Sequence, residues 1–322
     1  MRGFAVVLVV PLFACGSPAT TADQPDAGID GDNTLPPPPR GFQLKSPTVD
    51  IDPGKEVTYC WYFHTPNTVD MSIKQWSSHM TPGSHHMILY LTPTDQQPVD
   101  TLSTTQCGIS SGSTGPVWTY SAQTEDAEAR LPADDGTGRP VGQPVRAGHS
   151  GFLQMHYLNA TDSVLHAHVE LNAYAYDDGI IVTQAGPFVT FNRQIDLMPG
   201  TPALPTPGMV NGQCDVSPDE KYYVMTTHTH KQGVHTFVKD GNSTVFDSTS
   251  WEHPGTSSWS APAFYSFTSG KLTYQCEYLN PTTFEIKTGD SAATDEMCMA
   301  IGYYFPAPGG NGHFCLNDYM VY

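Results

Sequence analysis

From Ser163 to Tyr176 apolar residues occupy every second position, with Leu165, Ala167, Val169, Leu171 and Ala173 on one side and His166, His168, Glu170 and Asn172 on the other. Side chains alternate across a strand with period two but return to a helix face only about every 3.6 residues. The segment therefore predicts a strand with one face on a core and the other toward water. No long stretch carries apolar residues at helical spacing, whereas alternation recurs between clusters of Gly, Pro, Asn and Asp. The chain is predicted all-β. Its folded part, about 280 residues, exceeds what one small core organises, and a break at Asp177-Asp178-Gly179 divides it into 41–178 and 179–322. The expected architecture is two tandem antiparallel β-sandwiches, jelly-roll-like.

The first residues read as an address. Arg2 precedes an apolar run from Phe4 to Ala14 that is too short to span a bilayer, and Cys15 follows at once. Leu12-Phe13-Ala14-Cys15 resembles a bacterial lipobox, with Phe13 bulkier than the small residue usual there. Residues 1–15 are thus expected to be a lipoprotein signal peptide, with Cys15 anchoring the chain outside the cytoplasm to an outer membrane or cell surface. An ordinary secretory signal is the alternative. Residues 16–40, rich in Pro, Asp, Thr and Ala and ending in Pro36-Pro37-Pro38-Pro39-Arg40, have almost nothing to bury and read as a disordered tether. With Cys15 set aside, Cys60, Cys107, Cys214, Cys276, Cys298 and Cys315 remain, an even count that in an exported chain implies three disulfides. Count alone leaves fifteen pairings open. With 32 Asp plus Glu against 14 Lys plus Arg, the chain would repel a phosphate backbone, which excludes nucleic acid as a partner.

Four short strings carry the chemistry: His85-His86-Met87, Gln154-Met155-His156-Tyr157, His228-Thr229-His230 and Asp295-Glu296-Met297-Cys298. Imidazole suits several first-row metals, but a thioether is a soft ligand that Cu(I) selects and zinc, magnesium and calcium do not. Adjacent His85 and His86 would point to opposite faces of a regular strand. Both reach one metal only if the backbone is irregular, which the turn signal Thr81-Pro82-Gly83-Ser84 could supply. His156 would come from a strand on which Phe152, Gln154 and His156 share a face, and His228 and His230, two apart, would project from one face of another. Taken alone, a His pair is a weak signal and Met297 is more often core filler.

The order of these strings resembles the copper type II, ascorbate-dependent monooxygenases, the family of peptidylglycine α-hydroxylating monooxygenase and dopamine β-monooxygenase. The likeness spans most of residues 50–305 as ordered motifs, including the family's HTHxxG string ending at Gly233. It departs at Thr92, where the family has a cysteine, and at Lys221 and Tyr223, which replace a His and a Phe. The resemblance implies two copper ions. His85, His86 and His156 would hold the electron-transfer copper, and His228, His230 and Met297 the hydroxylating copper. It implies dioxygen and a small organic molecule as substrates, with ascorbate or another external reductant. It also favours the disulfides Cys60–Cys107, Cys214–Cys315 and Cys276–Cys298, none of which crosses position 178.

Where the peptide-hydroxylating relatives grip a carboxylate, this chain has Thr226, Met299 and Ile301. A less anionic, more apolar substrate is therefore expected. A catalytically idle surface lipoprotein that binds copper or another ligand is the alternative. A zinc hydrolase is weaker, because no Glu stands beside the His strings to act as base. The other eight histidines, His64, His79, His149, His166, His168, His235, His253 and His313, show no ligand pattern.

Overall fold

The computed structural model describes residues 35–104, 107, 115–292 and 294–321. The expected signal segment, Cys15 and most of the expected tether lie outside them. Strands dominate, and the one helical element among the described residues is a 3-10 turn at Pro308–Gly310. The fold is all-β and its sheets are largely antiparallel, as the alternation predicts.

Two sheets face each other in the first half. One is ordered Gly41–Lys45, Val169–Ala175, Met71–Met80, Val141–Val145, Thr183–Gln184, with Asp126–Arg130 also on Met71–Met80. The other is ordered Leu102–Ser103, Glu56–His64, Ser150–Leu158, Ser84–Leu91, Val117–Ala122. Between them lies a core that includes Trp76, Leu89, Leu153, Met155 and Leu171. In the second half, Lys221–His228, Met299–Phe305, Gly186–Phe191 and His313–Leu316 run side by side in one sheet, and Thr206–Asp215, Lys271–Asn280, Gly233–Asp240 and Ser243–Ser248 form its partner. Their core holds Phe188, Tyr222, Val238, Leu272 and Ile286. The position expected to divide the halves falls between Val169–Ala175 and Thr183–Gln184, and the latter still pairs with Val141–Val145.

A third apolar cluster is shared. Tyr62, Ile88, Tyr90, Trp118 and Phe152 from the first half pack with Val189, Met299, Ile301 and Phe314 from the second. The described residues accordingly form one compact unit. Alternation explains this packing: Ile88, Tyr90 and Phe152 occupy the face of their sheet opposite to Met87, Leu89 and Leu153, so that sheet is apolar on both sides.

The alternating segment is two strands. Leu165–Ala167 pairs with Val49–Ile51, whereas Val169–Ala175 runs between Gly41–Lys45 and Met71–Met80. Its polar side is exposed at His166 but covered farther along. Glu170 and Asn172 are buried because Leu35 and Pro36, the end of the expected tether, lie over them. Glu170 accepts from the Leu35 N–H and from Lys45 Nζ, both at 2.6 Å, and Asn172 donates to the Pro36 carbonyl at 2.9 Å. The disulfides are Cys60–Cys107, Cys214–Cys315 and Cys276–Cys298, the pairing the family resemblance favours.

Candidate metal centre

The turn before His85 does what adjacency demands. Gly83 sits at φ +94°, a left-handed conformation that favours glycine, and Ser84–Leu91 begins directly after it. Along the ladder with Ser150–Leu158, His156 pairs with His86 while Tyr157 pairs with Ser84, so His85 is an extra residue on its strand. A bulge of this kind breaks the alternation. His85 and His86 now lie with ring centroids 5.1 Å apart and Nδ1 atoms 2.9 Å apart, and each is 5.0 Å from the His156 ring. One potential ligand atom from each of the three lies within 4.8 Å of the others.

The second set is assembled differently from the expectation of two residues on one strand face. Lys221–His228 ends at His228, and His230 lies beyond it. A buried carboxylate holds His230 in place: Glu296 accepts the His230 N–H at 2.9 Å and the Gln232 N–H at 2.7 Å. The His230 ring donates from Nδ1 to the Asp295 carbonyl at 3.0 Å. The turn back into Gly233–Asp240 requires glycine, since a Cβ on Gly233 would lie 2.3 Å from Thr229 Oγ1. The His228 and His230 ring centroids are 5.4 Å apart. Met297, next to the Cys276–Cys298 bond, has its carbonyl held by the Tyr278 hydroxyl at 2.7 Å.

The two sets are neighbours. His86 lies 5.7 Å from His228, and His85 lies 6.3 Å from His228 and 6.4 Å from His230, hardly farther than within a set. All five imidazoles form one cluster. His86, His228 and Met297 face a cavity of about 880 Å3 whose walls include Tyr62, Tyr90, Trp118, Phe152, Met299 and Ile301. Thr226 does not line it and instead donates to the Gly255 carbonyl at 2.6 Å. Arg193 and Lys287 also line it, two cations that the sequence did not associate with the site.

Burial, reinforced by the neighbouring rings, pushes His85 down to about 4 and holds His86 and His228 well below the ordinary imidazole range. His230 falls to about 4, with burial outweighing its bond to Asp295, and burial lowers His156 against the pull of Glu56. Neutral imidazoles keep lone pairs, which is the form a metal needs. Two of those atoms stand out. His156 Nδ1 and His230 Nε2 are buried with no hydrogen-bond partner among the described residues, although a buried polar atom ordinarily has one. A metal ion in the cluster would satisfy both, so the donor set fits a metal.

Three residues escaped the sequence. Glu56 accepts from His156 Nε2 at 2.8 Å, from the Ala292 N–H at 3.0 Å and from Ser291 Oγ at 3.3 Å. The expectation that no Glu stands beside the histidines is therefore corrected. Glu56 is nevertheless no free base, since both of its oxygens hold protein groups and fix which ring nitrogen of His156 carries the proton. Gln123 Nε2 lies 3.3 Å from His228 Nδ1. Glu296, inside a string already singled out, has its carboxyl pushed up to about 7 by burial against three backbone N–H bonds. Only the Glu296 string carried a local signal; Glu56 and Gln123 are 100 and 105 residues from their histidines.

Of the other eight histidines, His64, His79, His166, His235 and His313 are paired with carboxylates away from the cluster. No family model matches the chain, and no curated protein matches it. Among solved structures, the major capsid protein P2 of bacteriophage PM2 aligns at 7% identity and TM-score 0.30, covering 82% of this chain and 97% of that one. The PBSX exported protein XepA aligns at 7% identity and TM-score 0.21, covering 82% of this chain and 86% of its own. Likeness at that level carries no argument about relationship or function.

Proposed function

We propose that the protein is a copper-dependent monooxygenase that hydroxylates a C–H bond of a small organic substrate, tethered outside the cytoplasm through Cys15. One atom of dioxygen enters the substrate and the other leaves as water, with two electrons supplied by ascorbate or a similar reductant. The supporting observation is the cluster of five neutral imidazoles, of which His86 and His228 line one cavity with Met297, while two ring nitrogens of the cluster are buried and unpartnered among the described residues. His85, His86 and His156 would hold one copper, and His228, His230 and Met297 the other. Bound copper would supply one-electron redox chemistry and reactivity toward dioxygen; a thioether favours its reduced state.

The chain's own residues do the rest. Glu56 holds His156 Nε2, leaving Nδ1 for the metal, and the Asp295 carbonyl holds His230 Nδ1, leaving Nε2. Tyr62, Tyr90, Trp118 and Phe152 form an apolar wall that orients a substrate and excludes water beside His86, His228 and Met297. Met299 and Ile301, where peptide-hydroxylating relatives place carboxylate-binding residues, are part of that wall.

Metal analysis with oxygen-electrode measurements tests the reading. The copper-loaded protein should contain two coppers per chain and consume dioxygen with ascorbate in the presence of a small, largely apolar substrate such as a phenylalkylamine. Glycine-extended peptides should be turned over at least tenfold less efficiently, since the lost charge-assisted contact alone is worth about 1.5–3 kcal/mol. Copper binding with no oxygen uptake across amines, peptides and metabolites would leave an idle copper-binding protein, and preferential zinc loading would sink the reading.

A further inference from the structure

We infer that a second cavity, away from the imidazole cluster, is a binding site for a small aryl carboxylate, with the anionic end on Arg146 and the apolar body against Tyr304 and the prolines beside it. The inference does not depend on the metal reading above.

The cavity, of about 780 Å3, opens at the edge of the first sandwich, between Val117–Ala122 of one sheet and Val141–Val145 of the other, and Pro306–His313 of the second half forms its opposite wall. It shares no lining residue with the cavity that His86, His228 and Met297 face. Alternation accounts for the separation. Val117 lines this cavity and Trp118 the other, and His313 and Phe314 divide in the same way, because consecutive side chains of a strand point to opposite sides. Small-molecule pockets are ordinarily roughly 300–1,000 Å3, so the space suits a compact organic molecule.

The walls are ordered before any ligand arrives. Gln143 bridges the two sheets, accepting from the Trp76 indole N–H at 2.5 Å and donating to the Thr119 carbonyl at 3.0 Å. On the opposite wall the Gly309 N–H donates to Gln184 Oε1 at 2.7 Å and the Gly310 N–H to the Ala307 carbonyl at 2.9 Å. The Tyr304 and His313 rings stack there, with centroids 5.1 Å apart and planes 4° from parallel. Pro144, Pro187, Pro306 and Pro308 line the same space, each with φ fixed by its ring. Walls already in place lose little conformational freedom on binding.

Charge sets the class of ligand. Among the described lining residues Arg146 is the one Lys or Arg and Glu220 the one carboxylate. Both Glu220 oxygens are engaged, by His313 Nε2 at 2.8 Å and by the Tyr222 hydroxyl at 3.1 Å. Arg146 instead donates from Nη2 to His149 Nε2 at 3.1 Å. Burial and then the Arg146 charge push His149 down to about 4, so its ring is a neutral acceptor that orients the guanidinium without cancelling its charge. A planar guanidinium so held presents its remaining N–H groups to a carboxylate. A dianion would meet a single cation in a chain with 32 Asp plus Glu against 14 Lys plus Arg, which favours a monoanion with an apolar body.

Amide NMR titration of the full chain with phenylacetate, metal-free and Cu(I)-loaded, tests the site, because Gly309, Gly310 and Gly312 report this cavity and not the other. Saturable shifts of these three amides are expected, with the same affinity whether or not copper is bound. Neutral phenylethanol should bind there about tenfold or more weakly, having lost the charge-assisted contact. Arg146→Gln should weaken phenylacetate to the level of the alcohol, Arg146→Lys should fall between, and Arg193→Gln, in the other cavity, should change nothing. Glycine amides that do not shift, equal affinity for the alcohol, or full affinity in Arg146→Gln would overturn the inference. So would affinity lost in Arg193→Gln, or shifts confined to Met299 and Ile301, since either would place the molecule in the other cavity.

Discussion

His156 condenses the geometry of the candidate centre into one side chain. One nitrogen is held by Glu56 at 2.8 Å, and the other is buried without a partner among the described residues. Such an arrangement fixes the tautomer and leaves a lone pair without a protein partner among the described residues. His230 repeats it with the Asp295 carbonyl as the holding group. Met297 differs: it is a partly buried thioether at the cavity, and shape alone would make it packing. Met297→Ile preserves apolar bulk and removes sulfur, so it should abolish turnover while His85, His86 and His156 retain their copper. X-ray absorption on the Cu(I) form should show a sulfur scatterer in the parent and none in the variant; no sulfur in the parent would disprove the assignment.

At the level of elements, the strands are held by turns built from side-chain hydrogen bonds. Asn159, after Ser150–Leu158, donates to the Ile51 and Ser163 carbonyls and accepts from the Thr161 N–H and hydroxyl. Asn280, ending Lys271–Asn280, does the same with the Leu197, Met198 and Phe284 carbonyls and with Thr282. Each half thus closes a central strand with the same Asn-x-Thr device. Asp240 does comparable work at the end of Gly233–Asp240, accepting the Thr268 and Ser269 N–H groups at 2.7 and 2.8 Å and the Thr268 hydroxyl at 3.0 Å. Burial pushes its carboxyl up, but the bonds from Ser269 and Thr268 outweigh that and hold it at about 2. Because the folded value lies below the ordinary 3.8, the ionised group stabilises the fold above about pH 4 and the benefit is lost as pH falls toward 2. Urea midpoints measured from pH 5 to pH 2 should therefore drop more steeply for the parent than for Asp240→Asn. Parallel curves would show that Asp240 contributes nothing to acid sensitivity.

At the scale of the whole molecule, the two sandwiches share an apolar cluster, and the five-imidazole cluster draws its residues from both. Neither half alone contains the five-imidazole cluster, so the packing of the halves is a condition of the proposed chemistry. The N-terminal side joins this body through Leu35 and Pro36 docked on Glu170 and Asn172, remote in sequence from Cys15. Cys15→Ser should therefore release the protein from the membrane fraction with its copper content unchanged. Persistent membrane association of that variant, or an unmodified Cys15 by mass spectrometry of the parent, would reject the lipid anchor.

Strand character, the bulge at His85 and the turn at Gly83 were legible in the sequence because alternation, adjacency and turn chemistry are local properties. The disulfide pairing came from the family resemblance, since six cysteines alone leave fifteen pairings. The burial of Glu170 and Asn172 was not legible, because a polar face reads as solvated until another segment is seen to cover it. Nor was the end of Lys221–His228 before His230, which depends on a carboxylate 66 residues away. Above all, the strings yielded two ligand sets, and their meeting in one cluster depends on the outer faces of two sheets packing together. Such packing is a contact between surfaces remote in sequence, to which no local period corresponds.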